Sequence, residues 1–218
     1  MSFDSLSAEW MGGVIEGEFA LAQTSAARSL NGQLTMKDAD IAEISSLAGL
    51  PEGLSGQLAM GGTFEATGKD WPSMLSRLTA SGSLSLAGGQ LDGLSGTTFP
   101  AILTAADATS DEEVADSAEK LLQSQLGLGR FAFETVELPF NIAGGILRVN
   151  GLRLKNEFLQ VSGNGRYELT TGQSQFDATL AFDPGKEIVV GASPEFDMAL
   201  AAADGSLNYS IDPSLFST

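Results

Sequence analysis

The sequence predicts a mainly β protein: a curved antiparallel sheet or meander that forms a groove or a sandwich, with two or three short α-helices packed against it as caps. Three observations predict this class. Between residues 131 and 183 nearly every second residue is apolar, which is the period that places side chains on one face of a strand. Polar residues occupy the positions between them and would face water. Segments rich in glycine, asparagine and threonine interrupt the pattern and suit tight turns.

Residues 131–183 provide the clearest strand signal in the chain. The alternation changes phase once, after Phe133, and resumes at Val136. Asn164-Gly165 leaves two alternatives, a hairpin turn or the middle of one strand from Phe158 to Leu169. The strand breaks are predicted at four turn-forming segments: Gly144-Gly145, Asn150-Gly151, Lys155-Asn156 and residues 170–172.

The apolar residues of this segment are the candidates for a binding surface. An open apolar face would line a groove that holds acyl chains, whereas a covered face would be an ordinary closed core. Closed core is the more common environment for any single apolar residue. The groove candidates are Phe140, Ile142, Leu147, Val149, Leu159, Val161, Phe176, Leu180 and Phe182.

Weaker alternation predicts further strands near both ends of the chain. Residues 3–10 and 14–23 form two of them, and Asp204-Gly205 predicts a tight hairpin between residues 195–203 and 206–211. A short unit, glycine-x-leucine-x-apolar, begins at residues 32, 56, 82, 145 and 205. Each copy is interpreted as a turn glycine followed by two inward-facing positions. A true repeat and chance recurrence in a glycine-rich β protein both explain it.

Two short helices are predicted between the strands. The first spans residues 40–47, with Asp40 as the N-cap and apolar residues at helical spacing. The second follows Asp70 and runs to about residue 78, with Pro72 in the first turn, where its missing N–H does no harm. It is predicted to bury Trp71, Met74, Leu75 and Leu78.

A third, longer helix is predicted at residues 110–126. Ser110 and Glu113 form a capping box, and apolar residues repeat along one side of the helix. We expect residues 101–127 to be a helical insertion that covers the sheet, within one β-rich module of residues 1–218.

Composition excludes several classes of partner and reaction. The chain has 11 Lys and Arg against 28 Asp and Glu, a net charge of −17, so nucleic acid is a poor partner. Histidine and cysteine are both absent, which removes thiolate chemistry, zinc–thiolate sites and the commonest general base. Asp38, Asp40 and Glu43 offer carboxylates for calcium, but their spacing does not match an EF-hand loop and helix capping explains the aspartates better. A glycosidase would need a carboxylate pair at strand ends, and none stands out. We therefore expect a non-enzymatic protein with no catalytic residue, metal or cofactor.

Membrane-spanning and targeting segments are not predicted. No run of about 18 apolar residues occurs, and residues 1–5 have neither the basic cluster nor the apolar core of a signal peptide. A protein that works outside the cytoplasm would therefore contain this chain as a mature form or as one part of a longer sequence.

Two blocks of the chain resemble the C-terminal region of the AsmA family of bacterial envelope proteins. In the first block, the helix at 71–78 leads through residues 78–82 into the strand–turn–strand of residues 82–94, with Ala80 where the family usually has glycine. The second block runs from Phe133 to Leu169 and includes the family-like Leu159-Gln160-Val161-Ser162-Gly163-Asn164-Gly165. The resemblance covers roughly residues 32–212 and depends on the order of the motifs. The family's usual N-terminal membrane helix and long N-terminal portion are missing from this chain.

The resemblance implies a location, a role and a partner. The location is the periplasm, as a domain of a protein anchored in the inner membrane of a Gram-negative bacterium. The role is outer-membrane biogenesis or intermembrane phospholipid transport, in which phospholipid acyl chains lie on an apolar sheet face and other envelope proteins are further partners. The alternative is an acidic all-β binding or adhesion module with a closed core and calcium or sugar as its ligand.

Overall fold

The computed structural model describes residues 2–25, 27–47, 53–92, 129–157, 159–182, 195–203 and 206–211. Within these residues the protein has twelve strands and two short helices. The N-terminal strands and the two helices are β1 Ser2–Trp10, β2 Gly13–Gln23, β3 Arg28–Asp40, α1 Ile41–Leu47, β4 Leu54–Gly68, α2 Trp71–Leu75 and β5 Thr79–Asp92. The remaining strands are β6 Arg130–Phe133, β7 Val136–Ala143, β8 Ile146–Lys155, β9 Leu159–Glu168, β10 Ser174–Phe182, β11 Glu195–Ala203 and β12 Ser206–Ile211.

All twelve strands belong to one antiparallel sheet, and their order in the sheet follows their order in the chain. The only departure is β6, which pairs with the end of β5 while β7 pairs with its beginning. The predicted mainly β class is therefore confirmed. Of the two predicted forms, the described strands make a single sheet and not the two facing sheets of a sandwich.

The strand register carries one apolar face across the sheet. Directly paired residues in antiparallel strands lie on the same face. One row of such pairs runs across five strands through Ile15, Met36, Met60, Leu84 and Leu138. The alternate residues form the other, polar face, since successive side chains of a strand point to opposite sides.

Bulges interrupt the register in β1, β3, β5 and β8. A bulge bends its strand and increases the local twist, so these four interruptions favour a bent sheet over a flat one. The bulge in β8 lies at Asn150-Gly151, where the sequence predicted a strand end. Gly151 has φ +73°, and its N–H donates a hydrogen bond of 3.0 Å to Oδ1 of Asn164 on β9. The predicted break is wrong because the neighbouring strand holds this dipeptide within a continuous strand.

The other predicted breaks in the C-terminal half are confirmed. Gly144-Gly145 and residues 170–172 are turns, and Asn156 joins β8 to β9 by accepting a 2.9 Å hydrogen bond from the N–H of Leu159. Asn164-Gly165 lies inside β9, which decides between the two alternatives in favour of one strand. The hairpin of β11 and β12 is confirmed, although its turn at residues 204–205 lies outside the described residues.

The glycine-led units do not share one structural role. Gly145 is a turn glycine, as predicted, but Gly32 and Gly82 lie in the middle of β3 and β5. Gly56 lies in β4 at a register shift and has φ +135°. The interpretation of every copy as a turn glycine is therefore wrong, and strands β3 to β5 are longer than the units suggested. The copy at residue 205 lies outside the described residues.

Both short helices occur where the sequence predicted them. The Oδ1 atom of Asp40 accepts a 2.8 Å hydrogen bond from the N–H of Ala42 at the start of α1. Helix α2 ends at Leu75 and not near residue 78. The predicted helix at 110–126, and the insertion of residues 101–127 that contains it, lie outside the described residues.

Candidate functional site

The apolar face contains a tightly packed region, which we call the core cluster. Its buried members are Phe131, Phe133, Leu154, Leu159, Val161, Ala178, Leu180, Phe182 and Met198. The rings of Phe131 and Phe133 pack with their centroids 6.1 Å apart. Leu180 is only 1% exposed and is paired in register with Val161. This part of the face is closed to ligands.

A second part of the apolar face remains open beneath α2, and we call it the trough. It has a volume of about 260 Å³ and lies between α2 and strands β3, β4, β5 and β7. None of the residues that line it is ionisable. They are Leu30, Leu34, Met60, Gly62, Thr63, Phe64, Ala66, Trp71, Met74, Leu75, Leu78, Ala80, Phe140 and Ile142. An apolar ligand would bind here by burial alone, without a charged group to orient it.

Glycines in the sheet create the space for the trough. Gly62 and Gly82 are paired in register, and Phe140 is the next residue in the same row. A Cβ atom at Gly62 would lie 3.2 Å from Cζ of Phe140, so the phenyl ring extends over the glycine backbone. The absence of two adjacent side chains lets this ring lie low against the sheet and leaves volume above it.

A capping box fixes α2 over the trough. The carboxylate of Asp70 accepts a 2.9 Å hydrogen bond from the N–H of Ser73, and Oγ of Ser73 accepts a 3.2 Å hydrogen bond from the N–H of Asp70. Pro72 follows in the first turn, where no backbone donor is needed. Met74 then points into the protein and is buried.

Hydrogen bonds with Ser73 lower the pKa of the Asp70 carboxyl below its usual value of 3.8. The bond with the Ser73 side chain has the larger effect, and the bond with the Ser73 backbone has the smaller one. A carboxyl whose pKa is lower in the folded state stabilises the protein above the unfolded-state pKa and loses this effect as the pH falls through the folded-state pKa. Asp70→Asn should therefore destabilise the protein near pH 7, and the deficit should shrink below about pH 4. Urea unfolding of the wild type and of Asp70→Asn at several pH values measures this difference in the free energy of unfolding. A deficit that stays constant down to pH 2 would contradict this assignment.

All nine predicted groove residues lie on the apolar face, but they separate into three groups. Phe140 and Ile142 line the trough. Leu159, Val161, Leu180 and Phe182 belong to the core cluster. Leu147, Val149 and Phe176 are half-buried on the face between them.

Most of the trough was missed because its walls come from β3 and β4, where the alternation is weak. Leu34, Met60 and Phe64 occupy alternate positions there, but glycines take the inward positions between them and dilute the pattern. Trp71 lines the trough and is nevertheless 68% exposed, so its predicted burial is wrong. Helix α2 is only five residues long and leaves its first residue at the opening.

Acidic side chains do not assemble into a metal site in the described residues. No group of three or more Asp or Glu side chains there is close enough to hold an ion, and the set Asp38, Asp40 and Glu43 is not brought together. Asp40 instead caps α1. No helix in the same described part of the chain is long and apolar enough to cross a bilayer.

Comparison with known proteins provides no relative. No protein-family model, no curated protein and no solved structure matches the chain.

Proposed function

We propose that this chain is a non-enzymatic module that holds the acyl chains of phospholipids on the apolar face of its sheet. In the fuller form of the proposal, it is a periplasmic domain of an AsmA-like protein anchored in the inner membrane. It acts there in outer-membrane biogenesis or in phospholipid transport between membranes, together with other envelope proteins. The location and the pathway rest on the sequence resemblance, and the acyl-chain site rests on the fold.

The observation that carries the acyl-chain site is the trough. It is lined by apolar side chains from four strands and a helix, and no ionisable group interrupts it. Each methylene moved from water into such a site contributes about 0.8 kcal/mol. A volume of about 260 Å³ holds a segment of one chain, and the half-buried row of Leu147, Val149 and Phe176 extends the apolar surface beside it.

The acidic polar face is compatible with this function. Contact through the tails needs no electrostatic attraction to headgroups, so the net charge of −17 does not oppose it. The alternative, an acidic binding module with a closed core, is favoured by the core cluster, in which four of the nine groove candidates are sealed. The two functions differ in whether a lipid occupies the trough.

The acyl-chain proposal is tested by measuring the lipid that stays bound to the protein during purification. The chain is expressed in bacteria, purified without detergent and measured by native mass spectrometry, with lipid extraction of the same sample. We expect a population heavier than the bare chain by the mass of a phospholipid, and phospholipid in the extract above the level from a lipid-free control protein purified in parallel. The closed-core alternative would be favoured if only unliganded protein is observed and if this protein also fails to take up phospholipid from vesicles.

A further inference from the structure

The polar face carries a row of hydrogen-bonding side chains across five adjacent strands. The register pairs Ser81 with Asn141, Asn141 with Arg148, Arg148 with Arg166 and Arg166 with Gln175. These residues share one face because each is paired directly with the next. The side chains of all five can donate hydrogen bonds.

The centre of this row places two positive charges directly opposite each other. The Cβ atoms of paired residues such as Arg148 and Arg166 lie about 4.5–5.5 Å apart, and like charges at that position destabilise a sheet. These arginines belong to a cationic group on β8 and β9 with Arg153 and Lys155, so two strands carry four of the 11 basic residues of an otherwise acidic chain.

Among the described residues neither arginine of this pair takes part in an ion pair, and Arg148 donates a 3.4 Å hydrogen bond to the carbonyl oxygen of Ile146 on its own strand. The ion pairs among the described residues are Lys37–Glu16 and Arg130–Asp92, on other strands. One acidic residue on β9 and one on β10 share this face, and each accepts a hydrogen bond from a neutral side chain. Glu168 accepts a 2.9 Å bond from Thr170, and Asp177 accepts a 3.2 Å bond from Gln175.

We propose that Arg148 and Arg166 form a binding site for a phosphate group on the polar face. Two adjacent guanidinium groups can each donate two hydrogen bonds to a tetrahedral phosphate, and this geometry suits arginine better than lysine. A bound dianion also removes the repulsion between the two side chains. Asn141 lies beside Arg148 and adds a neutral donor at one end of the site. A pocket of about 340 Å³ borders Arg166 at the other end, and Glu168 and Gln175 also line it.

The overall charge of the chain makes this a local site. A net charge of −17 repels anions at long range, so binding depends on contact with the two arginines. The phosphate could be free or part of a phospholipid headgroup, and both sources present the same group. The site lies on the opposite face from the trough, so it does not depend on the acyl-chain proposal.

Thermal unfolding of the full chain tests the site with inorganic phosphate, against sodium chloride at equal ionic strength. We expect phosphate to raise the Tm of the wild type, because a ligand that binds only the folded state stabilises it. Arg148→Gln and Arg166→Gln should each abolish this rise and, without phosphate, should melt no lower than the wild type because a like-charge contact is gone. Arg28→Gln, at an exposed arginine of β3, should keep the full phosphate response.

Flotation with vesicles distinguishes the two sources of phosphate. Binding to phosphatidylcholine vesicles that contain phosphatidic acid, but not to pure phosphatidylcholine, assigns the site to a lipid headgroup if Arg148→Gln abolishes it. A phosphate response without vesicle binding assigns it to free phosphate or a soluble ester. The proposal is overturned if phosphate leaves the wild-type Tm unchanged or shifts both arginine variants as it shifts the wild type. Binding of hexaglutamate without a phosphate response would assign the pair to an acidic protein partner instead.

Discussion

Replacing Leu180 by alanine is expected to lower the free energy of unfolding by about 2–5 kcal/mol, the largest loss that we predict for a single substitution. Leu180 is 1% exposed and lies within the core cluster, where it is paired with Val161. The truncation removes apolar contacts and leaves a cavity that a sheet held by hydrogen bonds on both sides of β10 cannot close. Urea or guanidinium unfolding followed by circular dichroism measures the change.

Leu47→Ala is the matched control for this experiment. Leu47 lies at the end of α1 and is 68% exposed, so the same truncation should change stability by no more than about 0.5 kcal/mol. Equal losses in the two variants would mean that the core cluster is not the closed region described above. The comparison therefore tests the division of the apolar face into a sealed part and an open part.

The substitution Ala80→Phe is expected to reduce the phospholipid content of the purified chain at least tenfold, or by about 1.4 kcal/mol in binding free energy. Ala80 lies on the apolar face between Phe64 and Ile142 and lines the trough. A phenyl ring at this position occupies the volume that an acyl chain would use. Native mass spectrometry and lipid extraction of the variant measure the loss.

Ser81→Phe provides the control on the same strand. It adds the same ring one residue further along β5, where the exposed side chain of Ser81 points to the polar face, so lipid content should remain at the wild-type level. Wild-type lipid content in Ala80→Phe, with an unchanged Tm, would exclude the trough as the acyl-chain site. The half-buried residues Leu147, Val149 and Phe176 would then be the remaining candidates on this face.

The period-two pattern was sufficient to predict the class of fold and the face of every groove candidate. Such a pattern depends only on the geometry of a strand, and it does not report what covers the face. Leu159 and Phe140 have equivalent spacing in the sequence, yet the first is sealed in the core cluster and the second lines the trough. The difference comes from α2 and from the packing of Phe131 and Phe133 in the core cluster, which local periodicity does not encode.

Glycine accounts for most of the remaining errors. At Asn150-Gly151 the dipeptide has the composition of a turn, but the hydrogen bond from Gly151 to Asn164 holds it as a bulge in β8. Gly165 also follows an asparagine, and it lies in a strand where the ring of Phe176 packs over it, 3.2 Å from the position of a Cβ atom. In both cases a residue on a neighbouring strand determines the conformation, and sequence neighbours alone do not reveal that partner.

Because the order of the strands in the sheet follows their order in the chain, strands can be added to or removed from an edge of the sheet. Each strand contacts its immediate neighbours, so an added or deleted hairpin at an edge alters one line of hydrogen bonds and leaves the others in place. Eleven strands in succession, at about 4.8 Å each, give the sheet a width of about 50 Å measured along its surface. A protein of this design can therefore adjust the reach of its apolar surface in steps of about 10 Å, one hairpin at a time, without repacking its centre.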